Sequence, residues 1–187
     1  MMKEFIEFDH KVTSLVEPYD VAMAYLNFAH ELDVDGDPTI PAFKAMHLFE
    51  EIDDPNGFME ACLVVATYLN NKEQYENSLN YLLLARDTMF DKTDNDRLKA
   101  NVLNKLGFLH FELKDYAKAI DEFSNCMEML TEVGEIIEMP KIMCTLGFIY
   151  QDIGKRDEAN EMFSKAAKLA IAAGLDSDAE KYNSFIL

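Results

Sequence analysis

The sequence predicts an all-α fold, an α-α superhelix of antiparallel helix pairs that ends in a single capping helix. The first observation behind this prediction is an internal repeat, in which the segment around Gly107 recurs 40 residues later around Gly147. A weaker copy lies 41 residues earlier, with Ala66 in the place of Gly107. The second observation is composition: 49% of the 187 residues are hydrophobic and only seven are glycine, which favours a folded helical chain. A fixed period in this range is typical of proteins in which each repeat covers its neighbour's apolar face.

Residues 1–54 are predicted to form acidic N-terminal helices that amount to one degenerate repeat. Apolar residues at helical spacing predict helices over 3–16, 18–32 and 39–52. We expect Phe43, Met46 and Phe49 on the buried side of the third helix. The first helix either folds back on the chain or pairs with a second copy across a two-fold axis.

Three regular helix pairs follow, predicted over 55–90, 95–132 and 136–173, with a capping helix in 175–187. Asp54 before Pro55 is a helix-start signal, because the carboxylate can accept from free backbone N–H groups. Pro140 fits a helix only within its first turn. Gly154 and Gly174 are placed where helices end in a left-handed residue.

Small and large residues recur at fixed places within the repeat and predict how the helices pack. Small residues allow two helices to approach, and we expect the nearby phenylalanines to fill the gap to the neighbouring pair. The structural repeat positions are Gly107, Ala119, Phe123, Gly147, Ala159 and Phe163.

These positions resemble the signature of the tetratricopeptide repeat family over about residues 58–170. The residues that carry the resemblance are Leu106-Gly107, Phe111, Tyr116, Ala119 and Phe123, then Leu146-Gly147, Tyr150, Gly154, Ala159, Phe163 and Ala166. The sequence departs from the family in its period of 40–41 residues instead of about 34, and in having Leu103 and Met143 at the tryptophan position. In this it is similar to the longer repeats of bacterial regulators and sensory modules.

The resemblance implies a binding groove on the concave face, which is lined by the first helix of each pair. The groove residues that it implies are Asn70, Asn71, Asn101, Asn104, Lys105, Phe108, Phe111, Lys141, Phe148 and Gln151. Amides and aromatic rings suit an extended or helical peptide. Phe108 and Phe148 could instead pack between adjacent first helices. The family's co-chaperones clamp a C-terminal carboxylate, and that clamp is essentially absent at the matching positions, which are Leu63, Thr67, Lys105, Lys141 and Thr145.

The charge of the chain narrows the class of partner. Its net charge is −18, and residues 1–60 carry three Lys or Arg against 14 Asp or Glu. Such a surface repels nucleic acid and anionic membranes, so a protein or peptide partner is expected. Cys62, Cys126 and Cys144 form no CxxC motif and suit free thiols in a reducing compartment. With no apolar run long enough to cross a bilayer and no signal-peptide pattern, we expect a cytoplasmic protein.

The sequence contains only incomplete motifs for metal binding and no motif for catalysis or cofactor binding. Glu7 and His10 have the spacing of a di-iron motif, but one copy is insufficient. Asp33, Asp35 and Asp37 alternate as at the start of a calcium loop, although the glycine comes two places too early and Lys44 stands where the closing glutamate should be. We therefore expect no catalytic residue, no metal and no cofactor.

The sequence thus predicts a non-enzymatic scaffold that binds a protein or peptide in its groove, in bacterial regulation or signalling. One alternative is a sensory or regulatory input domain of a longer signalling protein, with its catalytic or DNA-binding output domain outside this chain. Another is a secretion-type chaperone or a homodimerisation module. The apolar ending, Phe185 to Leu187, suits either a fragment or a buried C-terminal helix.

Overall fold

The computed structural model describes residues 2–12, 17–32 and 36–186, and within these ranges all regular structure is helical. The α-helices are α1 Met2–Val12, α2 Pro18–Glu31, α3 Thr39–Glu51, α4 Pro55–Asn71, α5 Tyr75–Met89, α6 Asp96–Glu112, α7 Tyr116–Glu132, α8 Met139–Asp152, α9 Arg156–Ala172 and α10 Asp176–Asn183. A short 3-10 helix, Phe90–Lys92, follows α5. The predicted all-α class is confirmed.

The helix boundaries follow local signals in the sequence. Asp54 caps α4, since its carboxylate accepts from the backbone N–H groups of Asn56 and Gly57 at 3.0 and 3.1 Å. Helix α8 begins at Met139, three residues later than predicted, which places Pro140 in the first turn. Residues 13–16 of the first predicted helix, and Asp33 and Asp35 of the acidic loop, lie outside the described residues.

The chain divides into an N-terminal unit, residues 1–102, and a C-terminal unit, residues 103–187, with the boundary inside α6. In the N-terminal unit α2 packs on α3, α3 on α4 and α4 on α5. In the C-terminal unit α7 packs on α8, α8 on α9 and α9 on α10. Consecutive helices joined by short turns are therefore neighbours within each unit, as in helical-repeat proteins.

Helix α1 folds back onto its own chain. The ring of Phe8 stacks on that of Phe28 with centroids 4.2 Å apart, and Val12 is buried. The Asp9 carboxylate accepts hydrogen bonds from the Tyr25 hydroxyl and the Lys44 ammonium. Of the two arrangements that the sequence left open, the single chain adopts the folded-back one.

Glycines are packed against phenylalanine rings inside both units. A Cβ atom at Gly107 would lie 2.6 Å from the Phe123 ring, and one at Gly147 would lie 2.5 Å from the Phe163 ring. Each ring lies on the glycine of its own helix pair, and the Phe163 ring also meets that of Phe185 beyond α10, with centroids 5.6 Å apart. The expectation that these rings fill the gap to the neighbouring pair stays a prediction. The side chains of Phe123 and Phe163 are fully buried, and the absence of a Cβ atom on the facing glycine leaves the space that each ring fills.

The N-terminal unit shows a third such contact and one further correction. Gly57 of α4 lies under the ring of Phe49 of α3, where a Cβ would be 2.3 Å from the ring. Met46 and Phe49 are buried as predicted, whereas Phe43 is 42% exposed and stacks on Tyr81. The prediction for Phe43 was wrong because the Tyr81 ring of α5 covers the Phe43 ring only in part.

Candidate binding surface on the first helices

Four of the sequence-predicted groove residues lie together in the C-terminal unit. Asn104, Lys105 and Phe108 are on the second half of α6, and Lys141 is in the first turn of α8. The Lys141 ammonium lies 4.9 Å from the centroid of the Phe108 ring. We call this cluster, together with Glu138, the α6–α8 surface. It is the part of the predicted groove whose geometry the structure describes within one unit.

Helical spacing explains why α6 contributes this combination. Asn104 and Phe108 are four residues apart and so lie on the same face of the helix, one turn from each other. Phe108 is half-buried, and its ring meets Phe123 edge to face with centroids 5.1 Å apart. One side of the ring thus belongs to the core while the Lys141 ammonium covers another, where a cation is attracted to the ring electrons.

Lys105 is the most unusual charged group of the surface. Its side chain is half-buried, and this burial lowers the pKa of its ammonium group, with the nearby Lys141 charge acting in the same direction and Glu138 opposing it. Among the described residues no carboxylate makes an ion pair with Lys105 or with Lys141. The site therefore holds two ammonium groups whose charges are not directly paired.

Asn104, the residue before Lys105 on α6, binds Glu138. Its side-chain N–H donates to a Glu138 carboxylate oxygen at 3.1 Å, while its own carbonyl oxygen is buried without a hydrogen-bond partner among the described residues. Glu138 is exposed and immediately precedes α8, where its side chain makes no capping hydrogen bond to the helix. Sequence reasoning did not single out Glu138, because no local pattern announces a contact with a residue 34 positions away.

Phe148 and Phe111 have different surroundings from Phe108. The Phe148 ring packs edge to face on Phe163 at 5.1 Å, as Phe108 packs on Phe123, but it is then covered by Phe185 at 4.9 Å. This places Phe148 against the buried cluster of α8, α9 and α10. Phe111 is half-buried with its ring 6.2 Å from that of Tyr116.

The remaining predicted groove residues are polar and exposed. Gln151 lies on the last turn of α8 in the C-terminal unit, and its side chain is exposed. Asn70 and Asn71 lie at the end of α4, and Asn101 on α6, all exposed and all within the N-terminal unit. The structure brings Asn104, Lys105, Phe108 and Lys141 together, and the continuous groove across all ten residues stays a prediction.

Other chemistry considered from the sequence can be located in the structure. Cys62, Cys126 and Cys144, all among the described residues, are buried and form no disulfide, as expected for small apolar side chains. Burial raises the pKa of the Cys62 and Cys126 thiols to about 12 and that of Cys144 to about 11. Within the part of the chain that the structure describes, no three His, Cys, Asp or Glu side chains form a group able to hold a metal ion. None of the described helices combines the length and the apolar character that a bilayer span requires.

Comparisons with known proteins bear on the fold. The family model for the tetratricopeptide repeat matches residues 98–172, and a search of curated proteins gave no significant match. Aspartyl phosphate phosphatase F from Bacillus subtilis is similar over 100% of this chain and 50% of its own length, with a TM-score of 0.81 and 19% identity. A signal transduction ATPase with a tetratricopeptide repeat sensor from Pyrococcus horikoshii is similar over 91% of this chain and 28% of its own, with a TM-score of 0.74 and 18% identity.

A third solved structure, BtubC from P. vanneervenii, is similar over 98% of this chain and 82% of its own, with a TM-score of 0.61 and 14% identity. The chain thus spans half or less of the phosphatase and the ATPase, and at these identities the likeness concerns the fold alone. The glycine-phenylalanine repeat positions and the helix pairs agree with the family match. Residues 98–172 thus match the tetratricopeptide repeat, and the chain has an all-α helical-repeat fold similar to that of these solved structures.

Proposed function

We propose that the chain is a non-enzymatic scaffold that binds a peptide segment of a partner protein at the α6–α8 surface. Helical repeats of this kind provide extended surfaces for other proteins, which sets the class of function. The residues of the surface specify it further, since it combines an apolar ring, two lysines and an amide on α6 and the first turn of α8.

The observation that carries the proposal is that a polar group of this surface can still form a hydrogen bond with a partner. The Asn104 carbonyl oxygen is a buried acceptor without a partner among the described residues, and a buried polar group is normally hydrogen-bonded. The backbone N–H of a peptide is a donor that fits it. Phe108, with its exposed part beside Lys141, supplies apolar contact area for a partner side chain.

A selection from a random library of 12-residue peptides displayed on phage tests this function. The wild-type protein is expected to enrich peptides whose binding falls at least tenfold in the Asn104→Ala/Phe108→Ala variant. Lys168→Ala, an exposed change on α9, is the matched control and should bind like the wild type. Because Phe108 touches Phe123, circular dichroism must show that the double variant keeps its helical content and cooperative melting. Equal binding by the wild type and the double variant would show that the peptide binds elsewhere on the protein.

A regulatory role for this binding is the second part of the proposal. It is supported by the resemblance of the 40-residue repeats to those of bacterial regulators, and two of the proteins with similar folds are a sensor-bearing ATPase and an aspartyl phosphate phosphatase. The selected peptide sequences provide the test. If they match segments of signalling proteins of the source organism, and full-length versions of these bind only the wild-type surface, regulation is supported. Matches confined to secreted or structural proteins would favour a chaperone role instead.

A further inference from the structure

We propose that the partner places an acidic side chain beside Lys105 and Lys141, and that Glu138 occupies this place in the unbound chain. The inference rests on the proposed function and specifies the partner for the same surface. It concerns a side-chain carboxylate within a peptide segment. Glu138 would then be an internal competitor that the partner's carboxylate displaces.

The first step of the argument is that the surface already holds a carboxylate. Glu138 accepts a hydrogen bond from the Asn104 side chain at 3.1 Å, and its charge acts on the neighbouring Lys105. No residue of the repeat pattern requires an acid at this position, and Glu138 gives α8 no capping hydrogen bond. The Asn104 amide therefore donates to a carboxylate at this surface, and the charge of that carboxylate acts on Lys105.

The second step is that Glu138 leaves both lysines without a direct ion pair, which a partner carboxylate could form. Lys105 and Lys141 contribute two positive charges, and neither makes an ion pair with a described carboxylate. Lys105 is also half-buried, so its charge is poorly solvated and gains more from a direct partner than an exposed lysine does. A basic partner residue would be repelled here.

The third step is that Glu138 can leave its position at low cost. Glu138 lies in the connection before α8, its side chain is exposed, and the one described hydrogen bond of that side chain is to Asn104. Once it turns outward, the Asn104 N–H groups are free for an incoming carboxylate, while the buried Asn104 carbonyl oxygen accepts from the peptide backbone.

The charge of the whole chain restricts the partner further. At a net charge of −18 the protein repels strongly acidic segments at long range. A partner segment should therefore carry a single acidic residue flanked by neutral or basic residues. The surface accepts the carboxylate at short range, and the rest of the chain disfavours further acids.

The test compares the Asp and Glu content of selected peptides with that of the unselected library. Four proteins are used: wild type, Glu138→Gln, Lys105→Gln/Lys141→Gln, and the control Glu161→Gln/Lys165→Gln, which removes an exposed ion pair on α9. Wild type and control are expected to enrich one acidic position. The affinity of the best peptide, measured by fluorescence anisotropy, should fall about tenfold or more in the double-lysine variant. In Glu138→Gln it should rise severalfold, since the competitor has lost its charge.

A change in the peptide keeps the test independent of protein folding. Replacing the enriched acid of that peptide by its amide should cost wild-type binding about as much as removing both lysines. No acidic enrichment, or an amide peptide that binds equally well, overturns the inference while leaving peptide binding at the surface intact. Weaker binding by Glu138→Gln shows that Glu138 supports the site and so overturns displacement. If no peptide is enriched over the bare support, the proposed function fails and the inference fails with it.

Discussion

Equivalent residues in successive turns show how a single backbone angle affects stability. Glu73, Lys114 and Gly154 follow α4, α6 and α8 at corresponding repeat positions, and all three have positive φ, at 59°, 60° and 80°. Each turn then closes with a backbone hydrogen bond of the same type, such as that from Lys155 N–H to the Tyr150 carbonyl at 2.8 Å. Only one of the three turns has the residue that adopts this angle without strain.

Lys114→Gly is therefore expected to raise the free energy of unfolding by about 0.5–1 kcal/mol, after the greater freedom of glycine in the unfolded chain is subtracted. Urea unfolding followed by circular dichroism measures the change. Gly154→Lys is the matched control and should lower stability by a similar amount, since a Cβ there meets no neighbour and the effect comes from the backbone. A less stable Lys114→Gly protein would show that the lysine side chain contributes more than the turn angle.

The sign of a second substitution tests the contact between glycine and phenylalanine. In an exposed helix interior, Gly→Ala stabilises by up to about 1 kcal/mol. Gly107→Ala is instead expected to destabilise by about 1–3 kcal/mol, because its Cβ would lie 2.6 Å from the fully buried Phe123 ring. Adding Phe123→Leu to Gly107→Ala should recover part of the lost free energy of unfolding, because leucine leaves more room for the Cβ atom. Unfolding curves of the wild type and the two variants measure these changes, and a stabilised Gly107→Ala protein would mean that the Phe123 ring moves aside freely.

The raised pKa values of the cysteine thiols predict how slowly they react with an alkylating reagent. With pKa values raised to about 11–12, roughly one thiol in a thousand or fewer is ionised at pH 8 in the folded protein. We expect Cys62, Cys126 and Cys144 to resist iodoacetamide at pH 8 and to react rapidly in urea. Mass spectrometry of the labelled protein gives the extent of reaction. Fast labelling in the native state would require an opening of the core that the burial of these thiols excludes.

At the scale of the elements, α1 depends on a small number of contacts. The hydrogen bond from Lys44 and that from Tyr25 hold the pKa of Asp9 below its ordinary value of 3.8. A carboxylate of this kind contributes stability above its unfolded pKa and loses it as the pH falls through the lower folded value. The docking of α1 should accordingly be complete near neutral pH and weaken below about pH 4.

Asp9→Asn is expected to loosen α1 at pH 7. Both charged side chains are partly exposed, 35% for Asp9 and 40% for Lys44, so the effect should amount to about 0.5 kcal/mol. Hydrogen–deuterium exchange resolved by mass spectrometry should show faster exchange of the α1 amides while α8 is unchanged. Glu7→Gln on the same helix is the control, because its side chain is exposed. Identical protection in both variants would assign the docking of α1 to its phenylalanines alone.

The elements also show where sequence reasoning succeeds and where it stops. Helical periodicity, a capping Asp54 and the constraint from Pro140 locate helices because each acts within one or two turns of chain. The contact between Glu138 and Asn104 and the covering of Phe148 by Phe185 depend on the packing of separate helices. The sequence therefore placed Phe108 and Phe148 in one class, while their surroundings separate them, and it left Glu138 unnoticed.

For the whole molecule, the excess of acidic groups is the dominant physical feature. A net charge of −18 places like charges close together in the folded state, and salt screens such repulsion over about 10 Å at 0.1 M. Raising NaCl from 0.05 to 0.5 M (about tenfold in ionic strength) is expected to raise the melting temperature by a few degrees, equivalent to about 1 kcal/mol. Melting in KCl at the same concentrations is the control for ion-specific effects. An unchanged or lower melting temperature would mean that the ion pairs on the helix surfaces outweigh the repulsion.

The glycine-phenylalanine contacts also carry an evolutionary consequence. Gly107 faces Phe123 and Gly147 faces Phe163, and the third copy has Ala66 and Leu82 at the same two positions, both buried. Where the small residue gains a methyl group, the large one loses volume. The two positions should therefore covary among homologous sequences, so that the combined volume of the two side chains stays nearly constant. The repeats of this one chain already show both combinations, Gly with Phe and Ala with Leu.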